Sequence, residues 1–335
     1  MKAVVYYEYG APDDVLRLAE VEKPSVRADG VLVRVHAAAA NPYDWHFIRG
    51  EPYFMRLMSG VRAPKRNALG VDFSGVVEEV GRAVTAFRPG DEVYGMRDGA
   101  FAEYLWAPAS EIALKPKSLG FGLAAAVPLA GLTALQGLRD GGQLQRGQRV
   151  LIIGASGGVG TFAVQIAKDL GAHVTGVCST TNLDMVRRLG ADEVLDYTRQ
   201  DFADDGAKYD VIFQLGGMDS PSHCRRALTP RGRLVLSSGD SDGVWIGPMA
   251  RILKAAVLSP FVSQKLVVLN VKRSQADLET LAQLIDAGKL KPVIDRTFPL
   301  EEVRQAVRYV EQGHARGKVL VGINTRAEAR VAPSP

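Results

Sequence analysis

The chain has 335 residues, long enough for two domains with separate cores. Its 47% hydrophobic and 23% charged content is that of an ordinary folded protein, and a net charge of +4 spread without blocks excludes a nucleic-acid tail or a membrane-surface patch. Two cysteines, Cys178 and Cys224, exclude a disulfide framework and a four-cysteine zinc site.

The N-terminus reaches Glu8 before a signal-peptide apolar core can form, and no apolar run has membrane-spanning length. A cytoplasmic protein is expected. Residues 1 to about 120 read as β-rich, with strands at 2–7, 31–37, 76–81 and 92–94. The turn Arg88-Pro89-Gly90-Asp91 separates the last two, and short strands spaced this way suggest a small barrel-like sheet. From about Leu123 the texture becomes helix–strand alternation. Strands at 149–153, 173–177, 193–196, 209–213 and 233–237 predict a parallel, doubly wound sheet. After about Ser263, Ser274 and Asp277 predict a capped helix ending at Gly288. A strand at 293–298, a helix from Leu300 to a stop at Gly313 and a strand at 319–321 close the chain, and residues 325–335 read as a frayed tail.

Residues 149–170 organise the second part. The apolar run 150–153 is followed by Ala155-x-Gly157-x-x-Gly160, and Val159, Ala163, Ile166, Ala167 and Leu170 then recur at helical spacing. Glycines in that context let a pyrophosphate approach main-chain N–H groups at a helix N-terminus. The expected dinucleotide contacts are Ser156, Gly157, Gly158 and Val159. After the next strand, Cys178-Ser179-Thr180-Thr181-Asn182 contains no acid where an NAD-preferring site places a carboxylate. Hydroxyls there can donate to a 2′-phosphate, so NADPH is expected over NADH.

Three groups of motifs resemble the medium-chain dehydrogenase/reductase superfamily: Ala68-Leu69-Gly70-Val71-Asp72-Phe73-Ser74-Gly75, Val80-Gly81, and Phe87-Arg88-Pro89-Gly90-Asp91-Glu92-Val93. Asn41-Pro42-Tyr43-Asp44-Trp45, Pro128-Leu129-Ala130-Gly131-Leu132-Thr133-Ala134 and Gly313-His314-Ala315-Arg316-Gly317-Lys318-Val319 are similar to its zinc-independent quinone oxidoreductase branch. The resemblance implies an α/β protein with a GroES-like β-rich catalytic domain and a Rossmann domain. It divides the chain into 1–122, 123–262 for the Rossmann domain, a return to the catalytic domain over 263–324, and a flexible tail over 325–335. It also implies a homodimer, with 266–271 as the edge strand of the Rossmann sheet. Zinc-dependent members carry ligands at positions matched here by Asn41 or Pro42, Val71-Asp72 and Ala130, of which only Asp72 can ligate.

Without a Lewis acid, hydride transfer to an electron-poor quinone or enone is the reaction that needs least help: alignment and a donor at the developing oxyanion. The resemblance places Asn41, His46, Tyr53 and Thr133 in that cleft. It adds Ser179, Thr180, Tyr197, Leu215, Gly216, Ser238, Gly239 and Lys318 as cofactor contacts. An enoyl-thioester or other carbonyl reductase, and a non-enzymatic NADPH-binding protein, stay open. No nucleic-acid or membrane partner is expected.

Overall fold

Apolar runs bounded by glycine and proline set the strands of both halves. The structure is a computed structural model and describes residues 1–204, 206–217, 219–237 and 262–324. In chain order the first elements are β1 (Lys2–Val5), β2 (Arg17–Glu20), β3 (Gly30–Ala40), α1 (Pro42–Arg49), β4 (Asp72–Val80), β5 (Glu92–Met96), β6 (Tyr104–Pro108) and β7 (Ile112–Leu114). Next come α2 (Pro128–Gln136), β8 (Arg149–Ile153), α3 (Gly158–Asp169), β9 (His173–Cys178), α4 (Leu183–Arg188), β10 (Glu193–Asp196), β11 (Tyr209–Gln214) and β12 (Leu228–Leu236). The chain continues through β13 (Lys265–Val268), α5 (Gln275–Asp286), β14 (Ile294–Pro299), α6 (Val303–Glu311) and β15 (Lys318–Gly322).

The chain forms two units. The first holds residues 1–129, 273–287 and 294 onward. Its seven-stranded sheet runs β14-β15-β3-β4-β5-β7, with β6 also paired to β3. The pairs are antiparallel except β14 with β15. Val31, Val33, Val35, Phe73, Val77, Leu105 and Ile112 are buried in its core, and α6 packs Val303, Ala306 and Val307 into the same cluster. This is the GroES-like half.

The second unit holds residues 130–272 and 288–293. Its six strands are all parallel, in the order β10-β9-β8-β11-β12-β13. Numbered along the chain, that order is 3-2-1-4-5-6, the Rossmann arrangement. Val150, Leu151, Ile152 and Ile153 are buried, as an apolar run requires in a sheet covered on both faces. Each such side chain contributes roughly 1.5–3 kcal/mol relative to exposure.

Three boundaries differ from those expected, one of them because residues 288–293, inside the expected return, fall in the second unit. Residues 123–129 stay with the first unit. Just before them Ser74 Oγ donates to the Phe121 carbonyl at 2.6 Å and the Phe121 ring stacks on His36. Residues 263–272 belong to the Rossmann unit, because β13 completes its sheet beside β12 and the Gln136 amide bonds both N–H and C=O of Lys272. The return therefore begins at Arg273, not at 263. Ser274 caps α5 by accepting the Asp277 N–H at 3.2 Å, as its sequence predicts. The expected tail, 325–335, lies outside the described residues. Among those that are described, no helix is long and apolar enough to cross a membrane.

Candidate active site

The glycine turn is built by backbone. β8 ends at Ile153, and the N–H groups of Gly154 and Ala155 both reach the Val177 carbonyl, at 3.1 and 3.0 Å. Gly154 has φ +87°, so the tight-turn glycine sits one residue ahead of the expected motif, which explains how Ala155 is tolerated. A Cβ on Gly160 would stand 2.1 Å from the Gly154 carbonyl oxygen and 2.7 Å from Ala155. Only glycine lets α3 start this close to the turn. The N–H groups of Gly158 and Val159, in the first turn of α3, have no intrahelical acceptor, and the helix dipole adds positive potential there. Gly157 departs from expectation: its N–H is spent on Gly154 O at 3.1 Å, so it gives space rather than a donor. The turn presents two backbone donors at a helix start, a geometry that suits a phosphate.

The neighbouring strand ends complete this half. Leu215 N–H donates to Ile153 O at 3.0 Å, and a Cβ on Gly154 would lie 3.2 Å from Gly216 N. Asn182 does not cap α4 with its side chain; its amide donates to Ser156 Oγ at 3.2 Å and to Ser179 Oγ at 3.1 Å. Its Oδ1 is buried without a partner among the described residues. Thr180 does not present a free hydroxyl donor, because Oγ1 donates to Asp196 Oδ2 at 2.5 Å. Sequence reasoning missed this acid. Asp196 ends β10 in register with Cys178, which brings it beside Thr180. Its other oxygen accepts the Thr198 N–H and hydroxyl at 3.0 and 2.7 Å. The Thr180 and Thr198 hydrogen bonds hold its carboxyl below the usual range. Tyr197 follows with 64% of its surface exposed. Thr133 lies inside α2, buried at 4% exposure, and is not a helix cap. Ser238 and Gly239 lie outside the described residues.

The first unit holds a different kind of construction. Asn41 is the extended N-cap residue of α1, and its N–H donates to Asp44 Oδ2 at 2.8 Å. Its Nδ2 donates to Ala39 O and Asp72 Oδ2, both at 3.0 Å, and its Oδ1 accepts from Lys318 Nζ. Both amide hydrogens are committed, so Asn41 is not the free oxyanion donor expected. Lys318 is likewise neither a solvated charge nor an exposed cofactor contact. It is buried at 3% exposure, with Nζ 2.9 Å from Asp72 Oδ2. Asp44 is fully buried, and its Oδ1 accepts the Gly70 N–H at 3.2 Å. Burial pushes the Asp44 carboxyl up to about 7, with the Asn41 N–H opposing and Asp72 adding to the rise.

His46 sits on α1, half-buried, stacked on Trp45, with Nδ1 2.9 Å from the Glu51 carbonyl. It is therefore helical, not on a loop. The Arg56 guanidinium lies over the rings of both Tyr53 and Tyr9, at centroid distances of 4.5 and 4.4 Å. Arg56 also donates to the Gly50 and Arg49 carbonyls at the end of α1, fixing the segment that carries Tyr53. Asn41, His46, Tyr53 and Lys318 belong to the first unit, and Thr133 with the described nucleotide contacts to the second.

Comparison with known proteins agrees with this architecture. A family model described as an alcohol dehydrogenase GroES-like domain matches residues 27–117, and one described as a zinc-binding dehydrogenase matches 189–321. The chain is 35% identical to the mouse NAD(P)H oxidoreductase RTN4IP1, mitochondrial, over 96% of its own length and 89% of that protein's. It is 34% identical to the Arabidopsis thaliana NADPH-dependent alkenal/one oxidoreductase, chloroplastic, covering 96% and 79%. Among solved structures, the quinone oxidoreductase from Coxiella burnetii superposes with a TM-score of 0.85 at 31% identity, covering 96% of this chain and 99% of that one. The chain belongs to the medium-chain dehydrogenase/reductase superfamily, in its zinc-independent quinone oxidoreductase branch.

Within that superfamily, the buried cluster bears on the zinc positions. Asp72, the sole matching residue able to ligate, has Oδ1 bonded to the Leu129 N–H at 2.7 Å and Oδ2 bonded to Asn41 and Lys318. This chain thus uses the position for an internal ion pair.

Proposed function

We propose that the protein reduces a quinone or an α,β-unsaturated carbonyl with hydride from NADPH. The observation that carries this reading is the turn from Gly154 to Gly160, which packs so closely on the N-terminus of α3 that one Cβ at Gly160 would collide with the Gly154 carbonyl. The names of the similar proteins support the acceptor class. When bound, the cofactor supplies the hydride. The chain's own part is to hold and align. The backbone of Gly158 and Val159 takes the pyrophosphate, Ser156, Ser179 and exposed Tyr197 take the adenosine end, and Leu215 and Gly216 border the turn from β11. A quinone or enone oxygen gains negative charge as hydride arrives, and a hydroxyl or imidazole N–H donor stabilises it. Thr133, His46 and Tyr53, which the family resemblance places in the cleft, are the donors we assign. Preference for NADPH is supported by the occupied state of Asp196, whose oxygens are taken by Thr180 and Thr198.

A homodimer and a cytoplasmic location belong to the same reading. Among the described residues β13 ends its sheet, and its outer edge is where we place a second copy, which light scattering of the purified chain tests. The names of two similar proteins place those proteins in mitochondrion and chloroplast, so cell fractionation tests the location here. The main test follows loss of nicotinamide absorbance in chelator-treated protein with 1,4-benzoquinone or a small enone. Turnover with NADPH, weaker with NADH and insensitive to chelation, is expected. Tight NADPH binding without oxidation by any acceptor of either class would overturn the proposal.

A further inference from the structure

We propose that Lys318 and Asp72 are positioning residues for the hydride transfer inferred above: one buried ion pair fixes the starts of both α1 and α2. The inference rests on that functional reading, and the hydrogen bonds it is argued from join residues of the first unit.

Three adjacent strands create the pair. β15 runs antiparallel to β3 with Val319 opposite Ala40, and β3 runs antiparallel to β4 with Ala39 opposite Asp72. That register sets Lys318 and Asp72 on either side of the residue where β3 gives way to α1, which is Asn41. The ammonium bonds Asn41 Oδ1 and Asp72 Oδ2; Asn41 Nδ2 closes the triangle on the same Asp72 oxygen at 3.0 Å. The other Asp72 oxygen receives the Leu129 N–H at 2.7 Å, in the first turn of α2. One helix start is held through its N-cap side chain and the other through a backbone donor that no helix satisfies internally.

The Lys318 and Asp72 side chains are 4% and 0% exposed. A pair sealed in this way costs desolvation that apolar residues of equal volume would avoid, so stability alone does not explain it. What the pair does, and apolar residues cannot, is point three hydrogen bonds at two helix starts. α1 carries His46, and α2 carries Thr133. A small displacement of either donor degrades alignment with the reacting atoms, and misplacement by about 1 Å can cost about 100-fold in rate. Lys318 then acts through position, not through contact with the cofactor.

The test compares the wild type with Lys318→Met and with the double variant Asp72→Asn/Lys318→Met, which removes both charges in case the single variant does not fold. NADPH affinity is read from nicotinamide fluorescence, kcat and KM from 1,4-benzoquinone reduction, and the Leu129 amide from hydrogen exchange. The expected result in the folded variants is kcat lowered by about tenfold or more, NADPH affinity within about twofold of wild type, and faster exchange at Leu129. A rise of about tenfold in NADPH Kd with kcat unchanged at saturation would make Lys318 a cofactor ligand and overturn the inference. Unchanged kcat in a folded variant would overturn it too. If the wild type reduces no quinone or enone, the functional reading fails by itself, and unchanged Leu129 exchange in the variants separately rejects the anchoring.

Discussion

The two units solve positioning in opposite ways. In the Rossmann unit the pyrophosphate cradle is made of backbone, and its decisive feature is the absence of Cβ atoms at Gly154 and Gly160. In the GroES-like unit the cluster of Asn41, Asp44, Asp72 and Lys318 is made of side chains, and its decisive feature is a balance of buried charge. A backbone cradle has nothing to titrate and fails only by steric filling. A buried charge cluster tolerates no removal of one partner and responds to pH.

The largest expected effect on cofactor binding is a steric one. Gly160→Ala puts a methyl against a backbone carbonyl, and neither the carbonyl nor α3 can yield without moving the turn. We expect a loss of about 3 kcal/mol in unfolding free energy and about 100-fold in NADPH affinity, measured by urea denaturation and nicotinamide fluorescence. Gly157→Ala is the matched control. Its Cβ would lie 3.5 Å from Gly154 O, an ordinary contact, so its unfolding midpoint should stay within about 1 kcal/mol of wild type. Equal damage from both substitutions would show that the cradle is not shaped by the contact at Gly160.

The charge cluster is expected to break along the pH axis. Asp44 is raised by burial to about 7, far above its value in an unfolded chain. Between about pH 4 and pH 7 the native state therefore keeps a proton that the unfolded state has lost, and stability falls as pH rises across that window. The full penalty is on the order of 4 kcal/mol, reached above the folded value. Asp44→Asn removes the titration. The difference in stability between variant and wild type should climb in favour of the variant from pH 4 to pH 8, read from urea midpoints at each pH. Parallel curves would mean that Asp44 is ionised throughout and that Lys318 and the two N–H donors outweigh its burial.

How much of each half could be read from the sequence follows from the same contrast. β8 coincides with its apolar run, and the Ser274 cap and the β10 limits coincide with their signals, because these are local. The glycine cradle is legible for the same reason; its parts lie within seven consecutive residues. The Asn41–Asp44 spacing of a capping box was also in plain view, although its carboxylate's burial was not. Lys318 and Asn41 are 277 residues apart, and no periodicity encodes their meeting. It depends on the registers of β15 on β3 and β3 on β4. Asp196 stayed hidden in the same way, since only the pairing of β10 with β9 brings it beside Thr180. The β13 boundary was misplaced because an edge strand and the start of a return segment look alike until the sheet pairing is known.

That hidden acid supplies the smallest and most specific prediction. The sequence of β9 and its following turn contains no carboxylate for a ribose hydroxyl, yet Asp196 stands one strand away with Thr180 bonded to one oxygen. In Thr180→Val that oxygen loses its hydroxyl donor and keeps the Arg199 Nε at 3.5 Å, while Thr198 continues to occupy the other. A freed acceptor at this strand end favours a ribose 2′-hydroxyl and repels a 2′-phosphate. The ratio of kcat/KM for NADH to that for NADPH should rise by about three- to tenfold, corresponding to about 1 kcal/mol, with the unfolding midpoint nearly unchanged. An unchanged ratio would place the adenosine end away from Asp196 and leave cofactor choice to Ser179 and Tyr197. A ratio that rises only because NADPH turnover falls would assign the Thr180 hydroxyl itself a role in holding the phosphate. Separate Kd values for the two cofactors distinguish these outcomes, and they decide whether the backbone cradle or the side chains beside it choose the nucleotide.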